Sequence, residues 1–202
     1  MLLTKTETLI LELLVSTPTR KFTIREISRL IKKDLKIVHT SIQRLLHHKF
    51  LLRDEHQHLY LDYHTNIPDL AYIENIRKEK FFRQYPAIKI SATDFLKKTK
   101  HSFFVLLIFG SYAEGNPRKD SDLDLLAILP EEDKNNAFER QLNAVLSLSF
   151  QKCHLHVISQ ASFKEMIAKR DEVNIINEAL NKHIIIFGAE SYYKLLGERH
   201  VR

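Results

Sequence analysis

The chain has 202 residues, of which 44% are hydrophobic and 28% charged, with a formal net charge of +6. This composition excludes wholesale disorder, and the length allows one or two domains. No apolar run approaches the roughly 20 residues that cross a bilayer, the first residues do not resemble a signal peptide, and Cys153 is the single cysteine. We therefore expect a soluble, cytoplasmic protein with no membrane partner, no internal disulfide and no multi-cysteine zinc site.

The charge is distributed unevenly along the chain. Residues 1–65 and residues 66–100 each carry a net charge of +4, whereas residues 101–202 carry −2. A basic first half attracts polyanions, of which nucleic acid is the commonest in a cytoplasm, although an ordinary solvated surface accounts for the same charge. The asymmetry predicts two modules with different partners, joined by the segment 66–100.

The first module, residues 1–65, is predicted to contain three helices followed by a two-stranded hairpin. Thr23 and Glu26 fit a capping box at the start of the second helix. The predicted elements are helices over 6–15, 24–31 and 35–48 and strands at 50–53 and 58–61. The residues expected to face the core are Ile24, Ile27, Leu30 and Ile31 in the second helix and Leu35, Val38, Ile42, Leu45 and Leu46 in the third.

This order of elements resembles the winged helix-turn-helix module of transcription regulators, over about residues 5–62. In such modules the third helix enters the major groove and the wing contacts the DNA backbone. The residues that would contact double-stranded DNA are Lys36, His39, Thr40, Gln43 and Arg44. A purely structural, protein-docking or dimerising role explains the same polar face, and a homodimer is a further expectation.

Residues 66–100 are predicted to form a helical connector rather than a flexible linker. The pattern favours helices over 69–83 and 88–98, separated by Pro86. Glu74 and Lys78 are four residues apart, so we expect them to support the first of these helices as an ion pair.

Residues 103–129 contain the side chains that are most indicative of a catalytic site. Two apolar runs, 103–109 and 123–129, have the length of buried strands, and Gly110 and Ser111 follow the first directly. Asp122 and Asp124 lie at the start of the second, and residues two apart on a strand project from one face. Paired carboxylates repel unless a cation lies between them, and Mg²⁺ is the natural cation for hard oxygen ligands.

The string Gly110-Ser111, ten further residues and then Asp122-Leu123-Asp124 resembles the signature of the DNA polymerase beta nucleotidyltransferase superfamily. It is most similar to the small prokaryotic branch, the minimal nucleotidyltransferases, which are typically antitoxins or are fused to a helix-turn-helix. The resemblance implies an α+β domain over 101–202, in which a mixed sheet is flanked by helices. It implies ATP or another nucleoside triphosphate as substrate and Mg²⁺ or Mn²⁺ as cofactor.

The same resemblance implies a role for each matching residue. Asp122 and Asp124 would be the catalytic metal ligands, Gly110 and Ser111 would cradle the β- and γ-phosphates, and Ser121 would support the loop. A hydroxyl on the acceptor would attack the α-phosphorus and release pyrophosphate. Positioning and charge neutralisation supply most of the catalysis in such phosphoryl-type transfers.

The sequence departs from the family pattern at two places. The third carboxylate is expected from a later strand, but the matching segment 151–159 contains no acid. His154 and His156 alternate onto one face there and would replace it, or they are ordinary polar residues; imidazole suits Zn²⁺ or Mn²⁺ better than Mg²⁺. Glu114 occupies the place of a family arginine or lysine, for which Arg118 or Lys119 would compensate.

The remaining segments are predicted to complete the second module. The expected elements are helices over 133–150, 163–170 and 171–182, a strand over 183–187 and a closing helix that starts near Gly188. Tyr192 and Tyr193 in the closing helix are expected to be packing residues.

Two functions remain open at this point. One is a nucleotidyltransferase that transfers a nucleotide, such as AMP, to a hydroxyl of a protein or small molecule and carries a DNA-binding head. The alternative is a DNA-binding transcriptional regulator whose nucleotidyltransferase-like domain is inactive and senses a nucleotide or mediates association.

Overall fold

The computed structural model describes residues 2–118, 120–130, 135–147, 152–169, 175–180 and 182–198. The helices are α1 (Lys5–Ser16), α2 (Ile24–Leu30), α3 (Leu35–His47), α4 (Ile67–Gln84), α5 (Pro86–Lys98), α6 (Gly110–Ala113), α7 (Asn135–Leu146), α8 (Gln160–Ala168), α9 (Ile175–Leu180) and α10 (Ala189–Gly197). The strands are β1 (Leu51–Arg53), β2 (Leu59–Leu61), β3 (Val105–Phe109), β4 (Leu123–Leu129), β5 (Cys153–Ser159) and β6 (Ile184–Phe187). In this described part of the chain, no helix is long and apolar enough to cross a bilayer.

The predicted helices agree with these bounds to within a few residues, but three predictions fall partly outside the described residues. These are the helices over 133–150, 163–170 and 171–182, which correspond to α7, α8 and α9 in the described residues.

The first three helices and the hairpin form a head of the predicted element order. Thr23 and Glu26 form the predicted capping box, with the Thr23 N–H donating to Glu26 and the Glu26 N–H to the Thr23 hydroxyl. Asp34 caps α3 by accepting from two backbone N–H groups. β1 and β2 pair antiparallel, with Leu51 opposite Leu61.

Two leucines predicted to face the core are exposed instead. Leu30 is 44% and Leu35 43% accessible, whereas Val38, Ile42 and Leu45 are fully buried as predicted. Leu30 ends α2 and Leu35 begins α3, so both flank the connecting turn and lie at the edge of the helix pair. Helical spacing indicates which side of a helix is apolar, but it does not indicate how far the packing partner extends.

The second module contains a mixed four-stranded sheet, and a mixed sheet is what the sequence predicts. Its strand order is β5-β4-β3-β6, in which β4 and β5 are parallel and β3 is antiparallel to both β4 and β6. Helices cover both faces, so β3 and β4 consist of buried apolar residues throughout apart from Asp124. The predicted strand start at Phe103 is wrong, because β3 begins at Val105 and Phe103 is 44% exposed.

A continuous cluster of buried apolar residues joins the head to one face of the sheet. It extends from Leu14 in α1 through Leu70 and Ile73 in α4 to Leu126 and Ile185 in the sheet. α4 therefore packs on both modules and is not a free connector. Burial of this continuous apolar surface holds the head against the sheet.

The predicted Glu74–Lys78 pair is wrong. Glu74 is 1% exposed and pairs with Arg77, whose guanidinium also donates to the carbonyl oxygen of His183. The hydroxyl of Tyr193 donates to Glu74 at 2.7 Å. α4 turns this side toward β6 and α10, so the carboxylate is enclosed by protein rather than by water. Tyr192 and Tyr193 are fully buried, as predicted.

Candidate active site

Two aspartates lie where β3 ends and where β4 and β5 begin. β4 places Asp124 opposite Phe109 of β3 and opposite His154 of β5. Asp122 immediately precedes β4, and side-chain alternation puts it on the same face as Asp124. The two side chains are 28% and 27% exposed, so both are reachable from solvent but partly enclosed.

Gly110 makes the closest approach to this pair. Its φ is +67°, a left-handed conformation, and a Cβ added there would lie 2.4 Å from Oδ2 of Asp124. Any other residue would be strained and would also displace the carboxylate. The glycine at the end of β3 therefore allows the backbone turn to lie directly against Asp124.

Backbone and hydroxyl hydrogen bonds hold the loop between Ser111 and Ser121. The N–H of Asn116 donates to the carbonyl oxygen of Ser111 at 3.1 Å. At the other end, the N–H of Arg118 donates to the hydroxyl of Ser121 at 2.8 Å, and the N–H of Ser121 donates back to Arg118 at 3.1 Å. Ser121 therefore fixes the loop just before the aspartates.

His154 lies against both aspartates. Its Nδ1 is 3.4 Å from Oδ1 of Asp124, and its Nε2 is 3.6 Å from Oδ2 of Asp122. His156 lies two residues further along β5, and its ring centroid is 6.3 Å from that of Phe109. Of the two histidines that alternate onto this face, the structure brings His154 to both carboxylates.

The donor set suits a divalent cation. Oδ1 of Asp122 is buried and accepts no hydrogen bond within the described part of the chain. Such an oxygen is costly unless a proton donor or a cation meets it. The two carboxylates supply hard oxygen ligands, and Mg²⁺ and Mn²⁺ commonly take their remaining ligands from water and phosphates. Among the described residues, no group of three or more acidic, histidine or cysteine side chains is arranged so that it could hold a metal ion.

The charges of Asp122 and Asp124 also affect the pKa of the Cys153 thiol on β5. Burial, together with the nearby Asp122 and Asp124 carboxylates, raises the pKa of Cys153 to about 11. The thiol is therefore neutral at physiological pH and is a poor nucleophile.

A cation that sequence reasoning missed lies beside the loop. Nζ of Lys182 is 3.0 Å from Oε1 of Glu114, the acidic residue for which the sequence predicts a compensating cation. Of the two compensating cations predicted, Lys119 lies outside the described residues and Arg118 is exposed. Lys182 and Glu114 are 68 positions apart, and no local pattern connects them.

The five residues predicted to bind DNA share one helix, α3, but differ in their surroundings. Lys36, His39, Thr40 and Gln43 are exposed. Arg44 is half-exposed, and its Nη1 lies 3.2 Å from Oε1 of the fully buried Glu7 in α1. Arg44 therefore balances a buried charge of the head as well as presenting a cation.

A cavity of about 450 Å³ lies beside Arg44 at the start of α1. Its lining includes Thr4, Lys36 and Ile37, and Ile37 is 52% exposed. The surface of α3 is therefore mixed in character, with an apolar residue among the polar ones.

Comparison with known proteins gives a match over the segment that contains the site. Residues 88–186, just under half of the chain, match the family model described as nucleotidyltransferase domain. The match includes Gly110, Ser111 and both aspartates, and it begins within α5. It supports nucleotidyl transfer as the general chemistry of this region.

The match does not extend to the head, and other comparisons add little. No curated protein matches the chain. A solved structure described as "Crystal structure of the toxin-antitoxin with AMP-PNP" is similar, with a TM-score of 0.36 and 12% identity. That similarity covers 54% of this chain and 80% of the other.

Proposed function

We propose that this protein is a nucleotidyltransferase that moves a nucleotidyl group, such as AMP, from a nucleoside triphosphate to a hydroxyl acceptor. The observation that carries the proposal is Oδ1 of Asp122, which is buried and accepts no hydrogen bond from the residues that the structure describes. It lies beside Asp124, whose carboxylate is in turn approached closely by Gly110. Two carboxylates and a close backbone approach are what a metal-bound triphosphate requires.

Each residue has a part in this reaction. Asp122 and Asp124 would hold a divalent ion, which when bound neutralises phosphate charge and aligns the triphosphate. The hydroxyl of Ser111 and the backbone at Gly110 would donate to phosphate oxygens. The acceptor oxygen forms a bond to the α-phosphorus, the bond from that phosphorus to the bridging oxygen breaks, and pyrophosphate leaves. The proton of the acceptor hydroxyl passes to solvent or a neighbouring base.

The test is transfer of label from ATP carrying a radioactive α-phosphate, in the presence of Mg²⁺ or Mn²⁺ and cell extract. Wild-type protein is expected to label a protein or small molecule, and Asp122→Asn is expected to lose this labelling. Asp120→Asn is the matched control, because Asp120 is an exposed carboxylate in the same loop and the charge change is equal. Equal labelling by wild type and Asp122→Asn would reject the proposal.

A second candidate function belongs to the head, which we propose binds double-stranded DNA. The supporting observation is the exposed polar face of α3, where Lys36, Thr40 and Gln43 all face solvent. Lysine would contact phosphates, and glutamine and threonine would contact base edges. In this reading the nucleotidyltransferase-like domain is a nucleotide sensor or an association module rather than an enzyme.

Duplex binding at several salt concentrations tests the second candidate. The affinity is expected to fall as salt rises, with a log–log slope of about −0.9 for each phosphate contacted. Lys36→Ala is expected to reduce this slope by about one contact, whereas Lys97→Ala removes an exposed lysine of α5 and should leave it unchanged. A slope near zero for the wild type would exclude DNA binding by the head.

A further inference from the structure

We infer that His154 is the third metal ligand of this site and that it makes the site select Mn²⁺ over Mg²⁺. The inference rests on the proposed function, because it concerns the metal that Asp122 and Asp124 would share. It starts from the register of β5 on β4, which places His154 directly opposite Asp124.

His154 lies next to both carboxylates. Each ring nitrogen of His154 faces a different carboxylate, at 3.4 Å for Asp124 and 3.6 Å for Asp122. His156, its neighbour on the same strand face, lies against Phe109 instead. A third ligand on β5 must therefore come from His154, which stands at the point of the sheet where the two carboxylates meet.

As they stand, Asp122, Asp124 and His154 are not arranged to hold an ion together. A bound ion needs ligand distances of about 2.0–2.2 Å, so His154 must turn until one nitrogen points at the ion rather than at a carboxylate. The side chain is 61% exposed, so solvent reaches much of the ring. Turning the ring therefore requires no rearrangement of β5.

An imidazole ligand changes which metal ion the site prefers. Mg²⁺ prefers oxygen ligands in near-octahedral geometry, whereas imidazole binds transition ions better. Two carboxylates and one imidazole retain the oxygen ligands that suit Mn²⁺ and add a nitrogen that Mg²⁺ uses poorly. Compared with an aspartate at this position, histidine contributes one negative charge less, which weakens binding of Mg²⁺ more than that of an ion with affinity for nitrogen.

Electron paramagnetic resonance of free Mn²⁺ tests the inference at a fixed pH of 8, with no nucleotide and no turnover. Wild-type protein is expected to bind Mn²⁺, and a tenfold excess of Mg²⁺ is expected to displace little of it. His154→Ala should weaken Mn²⁺ binding by at least about tenfold, the low end of the loss that changes around a metal site produce. His154→Asp should let Mg²⁺ displace Mn²⁺ readily. His156→Ala is the matched control and should bind Mn²⁺ as the wild type does.

The outcomes separate this inference from the proposed function. Unchanged or tighter Mn²⁺ binding by His154→Ala overturns the inference, and tighter binding would mean that His154 competes with the ion. If Asp122→Asn still abolishes Mn²⁺ binding in that case, the carboxylate site of the proposed function stands. If neither Asp122→Asn nor His154→Ala weakens Mn²⁺ binding, both proposals fail. Equal displacement by Mg²⁺ in wild type and His154→Asp also overturns the selectivity.

Discussion

Gly110 lies so close to Asp124 that a Cβ at this position would be 2.4 Å from the carboxylate oxygen Oδ2. The turn after β3 and the start of β4 are therefore in close contact, and a side chain at position 110 would affect the position of the Asp124 carboxylate. Gly115 shares the left-handed conformation of Gly110, with a φ of +78°, but a Cβ there would meet nothing within 4 Å. Alanine substitutions at the two glycines therefore distinguish the effect of backbone strain, which both share, from displacement of the Asp124 carboxylate, which only Gly110→Ala causes.

We expect Gly110→Ala and Gly115→Ala to have similar stabilities and different metal binding. Each places alanine in the left-handed region, which costs about 1–2 kcal/mol of unfolding free energy. The carboxylate of Asp124 ends a short side chain, so it turns away from the new methyl group at Gly110 without moving the strand. Urea unfolding and Mn²⁺ binding measure the two effects. Loss of Mn²⁺ binding in both variants, or in neither, would contradict the role assigned to the close approach.

Arg44→Ala is expected to destabilise the head, whereas Lys36→Ala is not. Glu7 is fully buried, and its Oε1 has the guanidinium of Arg44 at 3.2 Å. Removing a partner from a buried charge costs about 3–5 kcal/mol, and the half-exposed position of Arg44 reduces this to roughly 1–2 kcal/mol. Urea unfolding provides the measurement.

The expected difference in stability between Arg44→Ala and Lys36→Ala determines which variant is suitable for the DNA-binding experiment. Because Arg44→Ala changes stability as well as charge, weaker duplex binding by that variant does not identify a DNA contact. The double variant Glu7→Gln/Arg44→Ala removes both charges and should recover most of the lost stability. If Arg44→Ala unfolds at the same urea concentration as the wild type, the ion pair between Arg44 and Glu7 does not contribute to stability.

Cys153 serves as a reporter of charge at the candidate site, since it is the single cysteine of the chain. Burial and the two aspartates raise its pKa to about 11 from a usual value of 9.0. Alkylation by iodoacetamide at pH 8 should therefore be roughly a hundredfold slower than in an unfolded peptide, because two pKa units reduce the thiolate that much.

The variants give the sign of this prediction. Asp122→Asn removes a negative charge that disfavours the thiolate, so the midpoint of the alkylation rate against pH should move to lower pH. Asp120→Asn should leave the midpoint where it is in the wild type. Mass spectrometry of the alkylated protein provides the rate. If Asp122→Asn and the wild type have the same midpoint, the Asp122 carboxylate lies further from Cys153 than the structure places it.

The sequence predicted the parts of the site that are local. Gly110, Ser111, Asp122 and Asp124 belong to one segment, and their spacing together with the two apolar runs indicated a strand, a turn and a second strand. Alternation along β5 indicated that His154 and His156 share a face. The mixed sheet followed from the family resemblance rather than from periodicity.

The contacts that the sequence did not predict join distant segments. The register of β5 on β4 selects His154 rather than His156, and no pattern within either strand encodes that register. Lys182 reaches Glu114 across 68 positions, and Arg44 reaches Glu7 from another helix. The predicted pair of Glu74 with Lys78 is wrong because four-residue spacing predicts a solvated pair and does not reveal that this side of α4 is buried.

Glu74 provides the last prediction, because it carries a charge in the interior between α4, β6 and α10. Burial alone would raise the pKa of Glu74, but Arg77, His183 and Tyr193 hold it below the usual value of 4.5. Glu74→Gln leaves the guanidinium of Arg77, which is 10% exposed, without its counter-charge. We expect a loss of about 3–5 kcal/mol in unfolding free energy at pH 7.

The pH dependence of this loss follows from the lowered pKa. A carboxylate whose pKa is lower in the folded state stabilises the fold above its unfolded pKa, and that contribution is lost as the pH falls. The difference between wild type and Glu74→Gln should therefore be largest near pH 7 and should shrink as the pH falls below 4.5. Lys98→Ala breaks an exposed pair with Asp94 and should cost less than about 0.5 kcal/mol at either pH. Urea unfolding at pH 7 and pH 4 measures both variants, and a Glu74→Gln difference that stays constant or grows in acid would show that Glu74 is not stabilised as an anion.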